Sequence, residues 1–436
     1  MTPTTPLRQP LPLERFVQVL ENGSIDGRLA ELYGQTDVPA AKERLLSLVE
    51  NMAQAFGQMD VLGLSSPGRT ELGGNHTDHN HGRVLAAAVH LDCMALVSPR
   101  DDTLVRIVSE GFEEPIEVDV ADLALREEEK ESSHAMVRGV AAGLAEREYA
   151  LGGFDACVAG SIPMGAGLSS SAAFEVLVGQ VFNQLFNQGE IDDLTLALVA
   201  KDAENNYFGK PCGFMDQMAC AMQGILHIDL LNPDAPQVEQ VAARLDGAGY
   251  TLAVVNTGGS HEDLTEDYAA IKKEMHEVAE LLGQEEARGL ARDQLLSELP
   301  RLRRATSERA LLRTLHFIEE DERVPAMARS LAQGDMEAFL ALVRASGNSS
   351  WLLLQNCVSP SHPTEQPIPL ALALTQRLLS GRGACRVHGG GFAGTIQAYV
   401  PEADYPDYAR AMEKVFGPGS VMELKVRQAL GPLIMP

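Results

Sequence analysis

The chain has 436 residues, more than one hydrophobic core usually organises, and its 45% apolar and 22% charged composition supplies a buried interior, which excludes a small module and a disordered chain. With 35 basic residues against 61 acidic ones the formal charge is −26, so the average field repels polyanions. A nucleic-acid or anionic-membrane partner would need a basic patch that is not visible, and any phosphate site must be built locally.

Six cysteines, at 93, 157, 212, 220, 357 and 385, form no Cys-x-x-Cys pair. The opening MTPTTPLRQPLPLERF lacks the apolar core of a signal peptide, and no window reaches the roughly 18 apolar residues of a membrane span. Reduced thiols and a cytoplasmic location are therefore expected.

Residues 1–10, rich in Pro and Thr, read as loose, whereas 11–57 carry apolar residues at helical spacing, among them Phe16, Val19, Leu20, Leu45, Leu48, Val49 and Met52. From Met59 the pattern changes. VLGLSS reads as a strand, Pro67-Gly68 as a turn, and RVLAAAVHLDCMALVS as a strand region after a polar loop. Strand-like runs recur at 104–109 and 154–159, and the charged stretch 124–133 reads as a solvated helix start or loop. A glycine-rich stretch at 160–169 runs into the helical pattern AAFEVLVGQVFNQLF, followed by a helix at about 192–207 opened by Asp192-Asp193. TLAVVNT at 251–257 is a strand, 262–345 is charged and helical, and a helix, the glycine cluster 389–394 in a strand-rich run and a last helix near 403–416 complete the chain.

Four stretches carry chemistry. In GSIPMGAGLSSSAAF, residues 160–174, Gly160, Gly165 and Gly167 relieve backbone sterics, Pro163 stiffens the turn, and the helix starting near Ser169–Ser171 offers free N–H groups and a positive dipole end. Such a turn suits phosphate, and three successive hydroxyls add donors and one possible metal ligand. SSPGRTELGGNHTDHNHGRVL, residues 65–85, gathers Arg69, His76, Asp78, His79 and His81 in one loop. The three imidazoles have no Cys or HExxH spacing to support a metal and read as hydrogen-bonding groups. AENNYFGKPCGFMDQMAC, residues 203–220, puts Asp216 at a helix start and Glu204 near the end of the preceding helix, so two carboxylates flank one turn. Taken alone, Asp216 reads as a helix cap. In GACRVHGGGFAGTIQAYV, residues 383–400, Gly389, Gly390, Gly391 and Gly394 with Ala393 leave almost no side-chain volume, so a backbone or a substrate must approach closely.

The first stretch resembles the phosphate loop of the GHMP kinases, and the second resembles the galactokinase signature, GRxNxxGEHxDYxxG. Arg69, Gly74, His76, Asp78 and Gly82 fit that pattern, while Glu71, Asn75 and His79 replace its Asn, Glu and Tyr. The third stretch is similar to the family's Ala-Glu and Cys-Gly-x-Met-Asp-Gln pattern. The fourth is similar to its third motif, with His388 and Ala393 as departures. The likeness runs from about residue 58 to the end with three motifs in order.

The resemblance implies an α+β, two-domain architecture of mixed sheets covered by helices, with the active site in the cleft between domains. Residues 1–57 would be a helical extension packed on the first domain, 58–235 the N-terminal domain with the phosphate loop, and 236–436 the C-terminal domain. It makes Asp216 and Arg69 catalytic, assigns ATP to Gly165, Ala166, Gly167, Leu168, Ser169, Ser170 and Ser171, and gives Mg²⁺ to Ser171 and Glu204. The sugar falls to Asn75, His76, Asp78, Gly213 and Tyr268. A small-molecule sugar and ATP are then the partners, with no nucleic acid and no membrane, and a monomer is the default.

The expected reaction is phosphorylation of the anomeric 1-hydroxyl of galactose. In galactokinases the Glu at position 75 typically contacts the sugar's hydroxymethyl group, and an amide there removes a charge and adds a donor. The same reaction on galacturonate, N-acetylgalactosamine or arabinose is therefore an alternative. A non-catalytic ATP and sugar sensor is an alternative of another class, disfavoured because SSSAA, Arg69, Glu204 and Asp216 are all present.

Overall fold

The computed structural model describes residues 10–163, 165–210, 212–259, 264–392 and 394–435. The expectations for residues 1–9 and for Ala393 lie outside the described residues. Strands run in chain order as β1 (Leu11–Pro12), β2 (Asp60–Gly73), β3 (Arg83–Pro99), β4 (Leu104–Ser109), β5 (Ile116–Asp119), β6 (Phe154–Gly160), β7 (Ile225–Asp229), β8 (Gln237–Gln240), β9 (Tyr250–Asn256), β10 (Ala384–His388), β11 (Thr395–Pro401) and β12 (Val421–Leu424). Helices are α1 (Leu13–Glu21), α2 (Asp26–Tyr33), α3 (Val38–Phe56), α4 (Ser133–Glu146), α5 (Ser170–Phe186), α6 (Asp193–Asp202), α7 (Met215–Met222), α8 (Thr265–Leu281), α9 (Arg292–Leu302), α10 (Glu308–Ala332), α11 (Met336–Ser349), α12 (Pro367–Leu379) and α13 (Tyr405–Phe416).

The first sheet is mixed, in the order β1-β2-β3-β6-β4-β5, with only β4 and β6 parallel in it. It branches at β3, whose 17 residues are long enough to pair with β6 through Cys93–Pro99 and with β7 through Arg83–Ala87. The second sheet, β10-β11-β9-β12, is antiparallel throughout.

The first sheet is covered on both faces, and the side-chain alternation of its strands divides two cores. Cys93, Ala95 and Val97 of β3 join Ala156 and Val158 of β6 against α5 and its neighbours. Met94 and Leu96, with Cys157 and Ala159, face the helices of the first 57 residues, which bury Phe16, Leu20, Leu45, Leu48 and Met52 there. Helix α5 is buried nearly all round, as its run of apolar residues requires, and so presents a fixed N-terminus to the turn before it. Among the described residues no helix is long and apolar enough to cross a membrane.

One expected element differs. Pro67-Gly68 reads as a turn, yet β2 continues through it to Gly73, with register shifts between Pro67 and Arg69 and between Glu71 and Gly73. The bulges absorb the irregularity, because β3 supplies ladder partners on both sides of the proline. Arg69, Thr70 and Glu71 therefore stand on a rigid strand and not in a loop.

The N-terminal helices are tied to the sheet by a buried polar cluster around Asp92. Arg44 Nη2 donates to Asp92 Oδ1 at 2.8 Å and Tyr33 to Oδ2 at 2.7 Å, and Ser65, which receives a bond from Arg427, also donates to Oδ2. Burial pushes the Asp92 carboxyl up, but Arg44 and Arg427 outweigh it and hold it below its ordinary value. Asp92→Ala leaves both guanidinium groups without their buried counter-charge and is expected to lower the unfolding free energy by about 3 kcal/mol in urea titrations. A loss below about 1 kcal/mol, the scale of a surface pair, would contradict this.

Candidate active site

Residues from all four sequence motifs line one cleft of about 350 Å³, formed by the end of β2, the loop after it, the glycine-rich turn, the α6–α7 connection and the β10–β11 hairpin. A larger hollow of about 640 Å³ lies between α11, α12 and β10, but it gathers no carboxylate and no hydroxyl, so size alone does not mark the chemistry.

The turn before α5 has Gly165 at φ +73° and Gly167 at φ +68°. Ser169 is also left-handed, at φ +59°, a conformation a serine holds only where its surroundings impose it. Beneath the turn, Gly68 passes so close that a Cβ there would lie 2.7 Å from the Leu168 carbonyl, and the Arg69 N–H donates to that carbonyl at 3.1 Å. Arg69 Nη1 donates to the Gly167 carbonyl, and the same guanidinium meets Asp216 in a two-pronged pair, Nε to Oδ1 at 2.7 Å and Nη2 to Oδ2 at 2.9 Å. The Ser169 hydroxyl donates to Asp216 Oδ2.

Strand, turn and α7 are thus joined through one carboxylate. Burial raises the Asp216 carboxyl, but the charge and hydrogen bonds of Arg69, with Ser169, bring it below its ordinary value, so it is ionised at neutral pH. Its side chain keeps 31% exposure, toward a cleft that it lines.

Glu204 lies in a π-helical turn, Ala203–Phe208, that widens the end of α6 and is buried against the start of α5. Its Oε1 accepts from Ser171 at 3.3 Å and lies 3.8 Å from Lys210 Nζ, and its Oε2 accepts from Gln217 Nε2 at 2.7 Å. The same Gln217 amide reaches Glu175 Oε2 at 3.3 Å, while Glu175 Oε1 is buried without a partner. Burial, then the neighbouring Glu204, raises the Glu175 carboxyl to about 9, so at neutral pH it is protonated. Among the described residues no group of three or more His, Cys, Asp or Glu side chains is arranged to hold a metal by itself. A hydroxyl and a carboxylate side by side do fit a hard divalent cation that keeps water and phosphate oxygens as its remaining ligands, and the unsatisfied Glu175 oxygen marks the spot as short of positive charge.

At the other end of the cleft Asp78 opens a short 3₁₀ turn, and Gly213 approaches it so closely that a Cβ would overlap Asp78 Oδ2 at 2.0 Å. His76, at φ +58°, donates from Nε2 to the Gly390 carbonyl at 2.7 Å; burial lowers its imidazole to about 4, so it is neutral. Two expected sugar contacts stand differently from the sequence reading. Asn75 lines the cleft but is fully buried, and its amide is engaged within the protein. Nδ2 donates to the Gly389 carbonyl at 2.8 Å and to Glu71 Oε1 at 3.3 Å, and Oδ1 accepts from Asn356 at 2.9 Å and Ser350 at 3.3 Å. Tyr268 does not line the cleft. It stacks behind His76 at 6.4 Å between ring centres and donates to the Gly391 carbonyl at 3.0 Å, and its ring occupies the space that a Cβ at Gly390 would need.

Several further groups shape the cleft. Gln217 and Glu175 organise Glu204; their signals were adjacency to Asp216 and a position one helical turn after Ser171. Lys210 lines the cleft beside Glu204. His388 bonds Thr70 at 3.0 Å and Thr395 at 3.1 Å, and its ring lies beside Gly167, which brings the second sheet against the turn. Glu71, read only as a departure, forms a buried ion pair with Arg386. Burial raises its carboxyl above the ordinary value, against the opposing pull of Arg386 and Arg69.

A glycine- and serine-rich turn feeding a buried helix, with carboxylates from the next two helices, defines the GHMP kinase class. Residues 135–224 match the GHMP kinases N terminal domain. The Methanococcus jannaschii mevalonate kinase structure superposes with a TM-score of 0.58 at 12% identity, covering 84% of this chain and 98% of that one. Residues 53–99 match the galactokinase galactose-binding signature. A galactokinase from Streptomyces coelicolor is 34% identical over 367 residues, 84% of this chain and 91% of its own length. The Lactococcus lactis galactokinase structure, complexed with galactose, superposes with a TM-score of 0.76 at 24% identity over 90% of this chain and 100% of that one. The chain belongs to the galactokinase family.

Glu175 gives this geometry a measurable pH signature. Its proton is held in the folded state up to about pH 9 but released near 4.5 on unfolding, so stability falls as pH rises between those values. In magnesium-free buffer Glu175→Gln should gain stability relative to the parent between pH 6 and pH 9, as read from urea midpoints; parallel pH profiles would contradict the assignment.

Proposed function

We propose that the protein transfers the γ-phosphoryl group of ATP to the anomeric hydroxyl of galactose. The observation that carries this reading is the position of Asp216, ionised, bonded to Ser169 at the turn and open to the cleft that also holds Asp78 and His76.

Phosphoryl transfer passes through a loose transition state, so positioning and charge neutralisation dominate. The backbone N–H groups of Gly165–Ser171 and the N-terminus of α5 hold the phosphate chain, with the Ser169–Ser171 hydroxyls and Lys210 alongside, and this local field admits ATP to a chain of charge −26. Ser171 and Glu204 would hold Mg²⁺, which when bound would supply positive charge to offset that of the phosphate chain. Asp216 orients the sugar hydroxyl in line with the γ-phosphorus. As a carboxylate of lowered pKa it is a weak base and accepts the proton late. Arg69 keeps Asp216 ionised and stabilises charge on the transferring group. Asp78 and neutral His76 bond the remaining sugar hydroxyls, and Gly213 leaves room for the ring.

Cleft and carboxylates are complete within one chain, which supports a monomer as the functional unit, and we place the reaction in the cytoplasm. The galactokinase relative supports galactose over the other sugars. The presence of Ser169–Ser171, Arg69, Glu204 and Asp216 around one cleft argues against a sensor.

Asp216→Ala should lower kcat for galactose by about three orders of magnitude or more while ATP affinity, measured calorimetrically, changes only a few-fold. The parent's product, followed by phosphorus NMR, should be galactose 1-phosphate. Turnover of the variant within tenfold of the parent, or a phosphate on another carbon, would contradict the proposal.

A further inference from the structure

Positions 71 and 75 hold an exchange. The family signature has Asn at the first and Glu at the second, and this chain has Glu71 and Asn75, so one carboxylate and one amide are kept with their places swapped. The two side chains touch, Asn75 Nδ2 lying 3.3 Å from Glu71 Oε1. The swap therefore occurs within a single hydrogen-bonded pair.

The partners of the pair decide what each member can offer a ligand. Both polar atoms of Asn75 are engaged inside the protein, with Gly389, Glu71, Asn356 and Ser350. Glu71 is held through one oxygen only, Oε1, by Arg386 and Asn75, while Oε2 takes no hydrogen bond among the described residues and Glu71 lines the cleft. Gln397 fixes the backbone by donating to the Glu71 carbonyl at 3.0 Å.

The strand sets the distance. Between Arg69 and Glu71 the pairing with β3 is regular, Ala88 to Ala86, so the two side chains leave the same face about 7 Å apart. With Arg69 locked to Asp216 at the reacting end, Glu71 stands one strand repeat further along the same wall of the cleft.

We propose that Glu71 is the specificity-determining carboxylate of the sugar site, its Oε2 accepting a hydrogen bond from the exocyclic hydroxymethyl group while Arg386 holds Oε1. The task given to position 75 in the family pattern has passed to position 71, and galactose recognition is kept although residue 75 is an amide. This rests on the reading of the protein as a galactose kinase.

The test compares galactose with 6-deoxygalactose, which lacks only the hydroxyl in question. The parent should prefer galactose by about tenfold or more in kcat/KM, the effect of a hydrogen bond to a charged group. In Glu71→Gln this preference should fall by about tenfold, through the KM for sugar, with the KM for ATP unchanged. A folded Glu71→Gln that keeps the parent's preference overturns the proposal.

Because that variant leaves Arg386 without its counter-charge, the double exchange Glu71→Asn with Asn75→Glu provides a second reading. It should recover most of the preference, whereas Asn75→Glu alone, which sets two carboxylates in contact, should raise the KM for sugar. A double exchange that binds ATP normally but shows no preference overturns the proposal as well. Failure of the parent to phosphorylate galactose would overturn the functional reading, and this proposal with it, a result distinct from an unchanged preference.

Discussion

The contact on which the site depends is the two-pronged pair between Arg69 and Asp216. It is an ion pair, but its larger consequence is geometric. The guanidinium also holds the Gly167 carbonyl, and the carboxylate also holds the Ser169 hydroxyl, so the phosphate turn, the strand β2 and the helix α7 share one set of bonds. A side-chain pair at a half-buried position would be a weak source of stability by itself. Here it fixes the distance between the glycine-rich turn and the Asp216 carboxylate, and on the proposed function these are the phosphate site and the group facing the acceptor, which a reaction governed by positioning requires.

Around this pair the second sheet closes the cleft with groups that are mostly uncharged or already paired. From that sheet His388 is a neutral imidazole that bonds hydroxyls and Arg386 meets Glu71, while neutral His76, from the loop after β2, bonds the Gly390 carbonyl of the hairpin. Glycines 390 and 391 let the hairpin press against Tyr268 and Asn356. The directional hydrogen bonds across this seam specify one docking geometry, where an apolar seam would allow sliding. The negative charge of the chain as a whole is no obstacle to binding a nucleotide, because the field that matters comes from N–H groups and a few cations within the cleft.

Much of this was legible in the sequence, for identifiable reasons. Helical spacing of apolar residues marked 11–57 and the stretch after the glycine-rich turn as helices, and the apolar run RVLAAAVHLDCMALVS marked a strand, as the structure has them. The N-terminal helices could be read as helices, but their attachment to the sheet depends on Asp92, whose importance is invisible until its burial is known. Pro67-Gly68 misled because local turn chemistry was outweighed by ladder pairing on both sides. Sequence order gives no depth, so it does not show that Tyr268 stands behind His76, or that the amide of Asn75, although on the cleft wall, is engaged by Gly389, Glu71, Asn356 and Ser350. Glu175 carries no local signal of its raised pKa, which arises from burial beside a second carboxylate.

The account makes one spatial claim above all: nucleotide and sugar meet across Asp216. A crystal structure with a non-hydrolysable ATP analogue and galactose tests it most directly. The account predicts the triphosphate along residues 165–171 and the anomeric hydroxyl within hydrogen-bonding distance of the Asp216 carboxylate. A nucleotide bound away from that turn, or a sugar presenting a different hydroxyl to residue 216, would contradict it.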